Sequence, residues 1–247
     1  METASPSFLA RHELRDSDDA IAVLELLEGI RERLQEAFGT APHDVAVVLH
    51  GSVVQLSLSQ PLLPVVRALT GPAMRRYQVG WFARGEVHVL APRLLEERAS
   101  AVPGSREMVM LAPAVLYAAL VIGSVNPALP PPFRPGTIVR SLRWAWLVAG
   151  APAYFAGQVP YARAAIARRL REGRAPSFPP DLHDAALLGP TVFDLLALEE
   201  GPQAAVALAS RLPNDGPQRS MRSIFRGRSL LESEVVWRQH LHRLAEP

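Results

Sequence analysis

Apolar residues at Ile21, Leu24, Leu27, Ile30, Leu34 and Phe38 recur every three or four positions. That period predicts an amphipathic helix from Asp19 to Phe38 lying on a core. Asp16, Ser17 and Asp18 offer N-caps for it, and Gly39 ends it. Ser7 to His12 reads as a short strand. Asp44 to His50 is apolar on both faces, the pattern of an interior strand. Ser52 to Leu69 is interrupted by Pro61 and Pro64 and gives no clear element. Arg76 to Ala83 and Glu86 to Ala91 read as two strands joined at Arg84-Gly85, a hairpin signal. Pro92 then opens a short helix from Arg93 to Ala99.

Beyond residue 103 the pattern changes. Glu107 to Val125 is the longest apolar stretch, with no charge between Glu107 and Arg134, and it reads as a buried central helix. Trp144 to Gln158 is a second apolar stretch and the expected packing partner. It overlaps a helix expected from Thr137 to Gly150. Between the two lies Asn126 to Gly136, whose five prolines impose a rigid, extended connection. Helices follow at Tyr161 to Arg171, Thr191 to Glu199, Pro202 to Arg211, Arg219 to Phe225 and Leu231 to Leu244. The order predicts an α+β fold in one domain, 1–247. Residues 1–103 hold a small mixed sheet with helices packed on the central apolar helix, and 104–247 form an all-helical half.

Composition narrows the chemistry. The chain has 247 residues, 49% hydrophobic and 20% charged, which is enough for a sizeable core. Having no cysteine, it cannot use disulfides, thiolate metal ligands or a cysteine nucleophile. All 26 basic residues are arginine, and with 23 prolines this reads as the coding bias of a GC-rich genome. A net charge of +2 gives little support for a nucleic-acid partner. The N-terminus lacks the basic and apolar regions of a secretory signal, so a cytoplasmic location is expected. Met108 to Val125 sits at the length threshold for a membrane span, but Pro113 and Gly123 interrupt it and a core helix is the simpler reading.

Local sequence around these helices resembles gluzincin-type, peptidase-MA-like zinc metallopeptidases. The matching features are Val87-His88-Val89-Leu90-Ala91, the segment Asn126 to Phe133 (NPALPPPF), and Trp146-Leu147-Val148-Ala149-Gly150-Ala151-Pro152-Ala153-Tyr154. The last matches the family pattern W-[LF]-x-E-G-x-A-x-Y except for Ala149. The tail around Glu234 to Leu241 is also similar. The resemblance implies a gluzincin-like fold and an H-E-x-x-H helix. Aligned on Leu111 to Tyr117, that motif puts Pro113 and Tyr117 at the histidines and Ala114 at the general base. Ala149 stands at the third ligand. A zinc site needs two histidines on one helix face and a glutamate base between them. All four positions are lost, so the resemblance implies a degenerate site with no zinc and no cofactor, its cavity refilled by apolar atoms. Positions 113, 117 and 149 should still face one another.

Other candidates are weaker. His12-Glu13-Leu14-Arg15-Asp16 mimics part of the motif but lies at a strand end, where its side chains would not converge. His50 and His88 sit on expected strands and could be neighbours. His183, beside Asp184, precedes a region where the family closes its cleft, and with Trp146 and Tyr154 it is a possible cleft residue. His50-Gly51-Ser52 is not a nucleophile elbow, and there is no phosphate loop. The arginines at 163, 168, 169, 171 and 174 read as a solvated helix face. The expectation is a catalytically inactive pseudopeptidase that binds a protein or peptide through the former cleft. The alternatives are a membrane-associated helical protein and a hydrolase with a non-standard site.

Overall fold

A computed structural model describes residues 1–60, 63 and 78–246 of the chain. The start of the strand expected from Arg76, and most of the unclear stretch after Pro61, lie outside the described residues.

The protein is α+β. Among the described residues five strands form one mixed sheet: β1 (Glu2–Ala4), β2 (Phe8–Arg11), β3 (Val45–His50), β4 (Gly80–Ala83) and β5 (Glu86–Leu90). Their spatial order is β1-β2-β3-β5-β4. The apolar β3 is the middle strand, parallel to β2 on one side and to β5 on the other. Antiparallel β1 and β4 close the edges. β1 has no apolar alternation to announce it. It forms because β2 would otherwise present a free edge, and its Glu2 pairs with Arg11 in register, 3.1 Å apart.

Among the described residues twelve helices accompany the sheet: α1 (Ser17–Phe38), α2 (Val53–Ser59), α3 (Pro92–Glu96), α4 (Ser105–Met110), α5 (Ala112–Val125), α6 (Pro135–Arg143), α7 (Ala145–Phe155), α8 (Arg163–Arg171), α9 (Ala185–Glu200), α10 (Pro202–Ser210), α11 (Pro217–Ile224) and α12 (Leu230–Ala245). α1 follows its sequence period from Leu24 on, burying Val23, Leu24, Leu27, Ile30 and Leu34, but leaves Ile21 exposed, and it ends on Gly39 at φ 74°.

Two expected helices are each divided. The stretch from Glu107 to Val125 breaks at Leu111, where ψ is 1°, into α4 and α5. Pro113 lacks the N–H for an intrahelical bond and its ring crowds the preceding turn, so it is accommodated in the first turn of a new helix. The helix expected from Thr137 to Gly150 breaks at Trp144, with ψ 32°, into α6 and α7. α6 lies on the surface with only Thr137 buried, whereas α7 buries most of its length. A single straight axis could not serve both environments. Gly150 does not end α7, because it is a packing position. α9 starts not at Thr191 but six residues earlier, at Ala185, and carries Pro190 inside it.

The buried side chains form two cores. The first joins the sheet and α1 to α5 through Tyr117, Ala118, Leu120 and Val121. The second joins α7, α9, α10 and α12, with Trp146, Phe193, Phe225 and Trp237 as its bulkiest members. The sheet-side core therefore extends past residue 103 and takes in α5, while Ile122 of the same helix belongs to the second core. Among the described residues no helix is long and apolar enough to cross a membrane.

Candidate functional site

The positions singled out by the resemblance lie as follows. Pro113, Ala114 and Tyr117 are buried in α5, and Ala149 is half-buried in α7. Tyr117 packs in the sheet-side core. Its ring meets Phe8 edge-on with centroids 5.0 Å apart, and its hydroxyl donates to the Pro42 carbonyl at 2.6 Å. Burial pushes that hydroxyl's pKa well above its ordinary value. Ala119 and Ile122 of α5 and Val148 and Pro152 of α7 line one small space between the helices. At 3.6 residues per turn, Tyr117 and Ala119 lie roughly 160° apart around the helix. The space there, lined also by Phe82, Leu129 and Pro130, is about 10 Å³ and apolar, near the lower limit for one water molecule. Leu116 of α5 is half-buried against the sheet-side core. A side-chain carbon at Gly80 of β4 would lie 2.3 Å from its Cδ1.

The main partner of α7 is α9. A Cβ at Gly150 would lie 2.4 Å from the Gly189 carbonyl carbon, and one at Gly189 would lie 2.3 Å from the Trp146 carbonyl oxygen. Two bare backbones therefore cross in contact. Tyr154 stacks on Phe193 at 6.0 Å, and burial followed by the charge of Asp194 raises its hydroxyl pKa.

An open groove lies at the other end of α7. Its volume is about 500 Å³, within the range of small-ligand sites. Arg143 at the end of α6 and Trp146 in the first turn of α7 form one side. Pro179, Pro180 and Asp181 form another, and Asp215 to Arg219, at the start of α11, form the third. Trp146 is 1% exposed, and its indole Nε1 has no hydrogen-bond partner. Of the three expected cleft residues, then, Trp146 lines this groove. His183 is exposed, two residues from the lining Asp181, and Tyr154 belongs to the α7–α9 contact.

Asp181, His183 and Asp184 place ligand-type atoms within 4.8 Å of one another, the one such group among the described residues. Asp184 is already committed. Arg169 donates to both its oxygens at 2.7 Å. Burial opposes its ionisation, but the bonds from Arg169 and His183 outweigh burial and hold its pKa below the ordinary value. The cluster is an anchored ion pair that ties α8 to the start of α9. The partial motif at His12 does not converge either. His12 bonds Thr3 Oγ1 and the Glu13 carbonyl, both at 2.8 Å, and the buried Asp16 accepts from Arg93 at 2.9 Å.

His50 and His88 are neighbours across β3 and β5. His50 Nε2 lies 3.0 Å from His88 Nδ1, and His88 Nε2 lies 3.3 Å from Glu86 Oε2. An ionised Glu86 only accepts, so His88 Nε2 carries its proton and Nδ1 accepts from His50. Burial, with His88 as the lesser cause, lowers the His50 pKa to about 4.

Sequence reasoning missed Arg143, Asp215 and Arg219. The sole local signal was Gly216-Pro217 opening a helix with no acidic residue in its first turn. Comparisons with protein-family models, curated proteins and solved structures returned no match.

Proposed function

We propose that this protein is a non-catalytic binding protein on a metallopeptidase-like, gluzincin-type scaffold, acting in the cytoplasm. The observation that carries this reading is the contact between α5 and α7. Non-ligating side chains stand at Pro113, Ala114 and Ala149, the hydroxyl of Tyr117 is committed to Pro42, and the small space that both helices line is surrounded by apolar residues. A zinc centre needs three converging nitrogen or oxygen ligands and an open fourth position, and this contact supplies neither. Binding then falls to the groove beside Trp146, not to the space between the apolar helices. Protein purified without a metal-binding tag should carry no stoichiometric zinc after dialysis and should not cleave casein. Elemental analysis giving about one zinc per chain would overturn the reading.

A second reading concerns membranes, and it rests on α6 and not on Met108 to Val125, which are largely buried. Ile138, Val139 and Leu142 are exposed on α6 beside Arg134 and Arg140. An exposed apolar face flanked by arginines suits the surface of an anionic bilayer. Co-sedimentation with phosphatidylglycerol vesicles, absent with phosphatidylcholine and lost in Val139→Glu, is the result expected on this reading.

A further inference from the structure

The apolar side of α6 faces outward. At 100° per residue, Pro135, Ile138, Val139 and Leu142 fall within one arc of roughly 100°. All four are exposed, Val139 by 67%. Thr137, the one buried residue of the helix, lies nearly opposite, where its hydroxyl accepts from the Arg134 amide at 2.8 Å. A helix lying on a protein core shows the reverse arrangement. Charge is one-sided as well. Arg134, Arg140 and Arg143 are exposed on the same helix and its cap, and no acidic residue occurs in the chain between Glu107 and Glu172. Arg143 shares the groove with Asp181 and Asp215, so Arg134 and Arg140 carry most of the attraction for an anion.

Charge decides what covers this face. A second copy meeting the first through α6 about a two-fold axis would bring like arginines together. An anionic bilayer offers hydrocarbon to the arc and a dense layer of negative headgroups to the arginines. That much is the membrane reading above, on which the rest of this inference depends. Nine residues are too few to complete it. α6 is about 14 Å long, and a single short apolar signal holds a protein to a bilayer only marginally. Stable docking needs a second contact.

One stands at the entrance to the helix. Phe133 stacks on Trp81 of β4 with ring centroids 4.5 Å apart, and Phe82 lies 5.4 Å from Phe133. Trp81 and Phe133 are each half-buried, whereas Trp144, Trp146 and Trp237 are buried. Trp81 is thus the one tryptophan with a wet edge, and such a ring partitions to the headgroup level of a bilayer. Arg84 is exposed at the turn of the same hairpin, and its acid, Glu86, is engaged by His88 at 3.3 Å. Arg134 alone separates Phe133 from Pro135, at most about 7 Å of chain, so one bilayer surface can reach both the stack and the arc. We propose that the Trp81–Phe133 stack is an interfacial anchor for an anionic bilayer. It seats among the headgroups while Ile138, Val139 and Leu142 enter the acyl boundary.

Tryptophan emission of the intact protein with phosphatidylglycerol vesicles tests it, alongside co-sedimentation. Emission should move to shorter wavelength on binding and should be quenched by lipids brominated in the upper acyl chain. Both changes should vanish in Trp81→Phe, which keeps a ring on Phe133 and should still sediment. Trp81→Ser should weaken vesicle binding about ten-fold, a change of about 1.4 kcal/mol, with the fold intact by circular dichroism. Leu231→Ser, at an exposed leucine of α12, should bind like the parent. Sedimentation with no change in the Trp81 signal overturns the anchor and leaves the membrane reading standing. So do Trp81→Ser and Phe133→Ser both binding like the parent. Absence of sedimentation overturns both. Binding to poly-glutamate without binding to vesicles would assign the face to an acidic protein, and a dimer dissolved by Val139→Glu would assign it to a second copy. Either result overturns the proposal.

Discussion

Leu147 has no exposed surface and sits in the second core, whereas Leu116 is half-buried against Gly80. A Leu→Ala change costs lost transfer energy plus a cavity that the surroundings fill only in part. Leu147→Ala should therefore cost about 2–5 kcal/mol by denaturant titration. Leu116→Ala should cost about half that or less, since part of its surface is already in water. Equal losses would mean that the two sites are equally buried. His50 sets a pH dependence whose sign can be worked out. The unfolded side chain titrates near 6.5, and the folded one near 4. Between those values the unfolded state takes up a proton that the folded state refuses. Stability from this group is thus complete above pH 6.5 and is lost as pH falls toward 4, by on the order of 3 kcal/mol. His50→Gln keeps a donor for His88 but does not titrate. Its stability should fall less than that of the parent between pH 7 and 4.5, as read by urea midpoints.

At the scale of elements, the crossing of α7 and α9 is set by two glycines. Neither position has room for a methyl group, because the obstacle is the backbone of the opposing helix and not a flexible side-chain end. Gly150→Ala gains helix propensity of roughly 1 kcal/mol, but it forces the helices apart along a packed interface. Overpacking of this kind typically costs about 1–3 kcal/mol, and loosening the ring packing of Trp146, Tyr154 and Phe193 adds to it. Net destabilisation is expected for Gly150→Ala and for Gly189→Ala. At Gly136 of α6, an added methyl would meet nothing within 4 Å, so Gly136→Ala should be neutral or stabilising. Thermal unfolding of the three variants checks the contrast.

For the whole molecule, α5 is shared by the two cores, as is α4 through Val109 and Met108. Its Tyr117, Ala118, Leu120 and Val121 pack with the sheet, and its Ile122 packs with the helices. Neither core can lose α5 without exposing apolar surface of its own, so unfolding should be a single cooperative event. Three of the four tryptophans, Trp144, Trp146 and Trp237, lie in the second core, while the sheet belongs to the first. Tryptophan fluorescence and far-ultraviolet circular dichroism should therefore give coincident denaturation curves. Separated midpoints would show that the two cores unfold independently.

The α+β class, the interior place of β3, the buried face of α1 and the succession of helices after residue 103 were legible in the sequence, because each follows from local periodicity and capping. So was the neighbourhood of His50 and His88, which two adjacent strands place side by side. What the sequence did not determine were features that depend on which surfaces meet. The Gly150–Gly189 crossing reads locally as two helix-weakening residues, and only the opposing backbone gives them a purpose. β1 exists because β2 had an edge to cover. Tyr117 keeps the spacing of a ligand position, yet its ring packs on Phe8 and its hydroxyl donates to the Pro42 carbonyl. The groove joins Arg143, Trp146, Asp181, Asp215 and Arg219 from three separate stretches. No one stretch carries a motif, and their charges acquire meaning only where α6, α7 and the start of α11 come together.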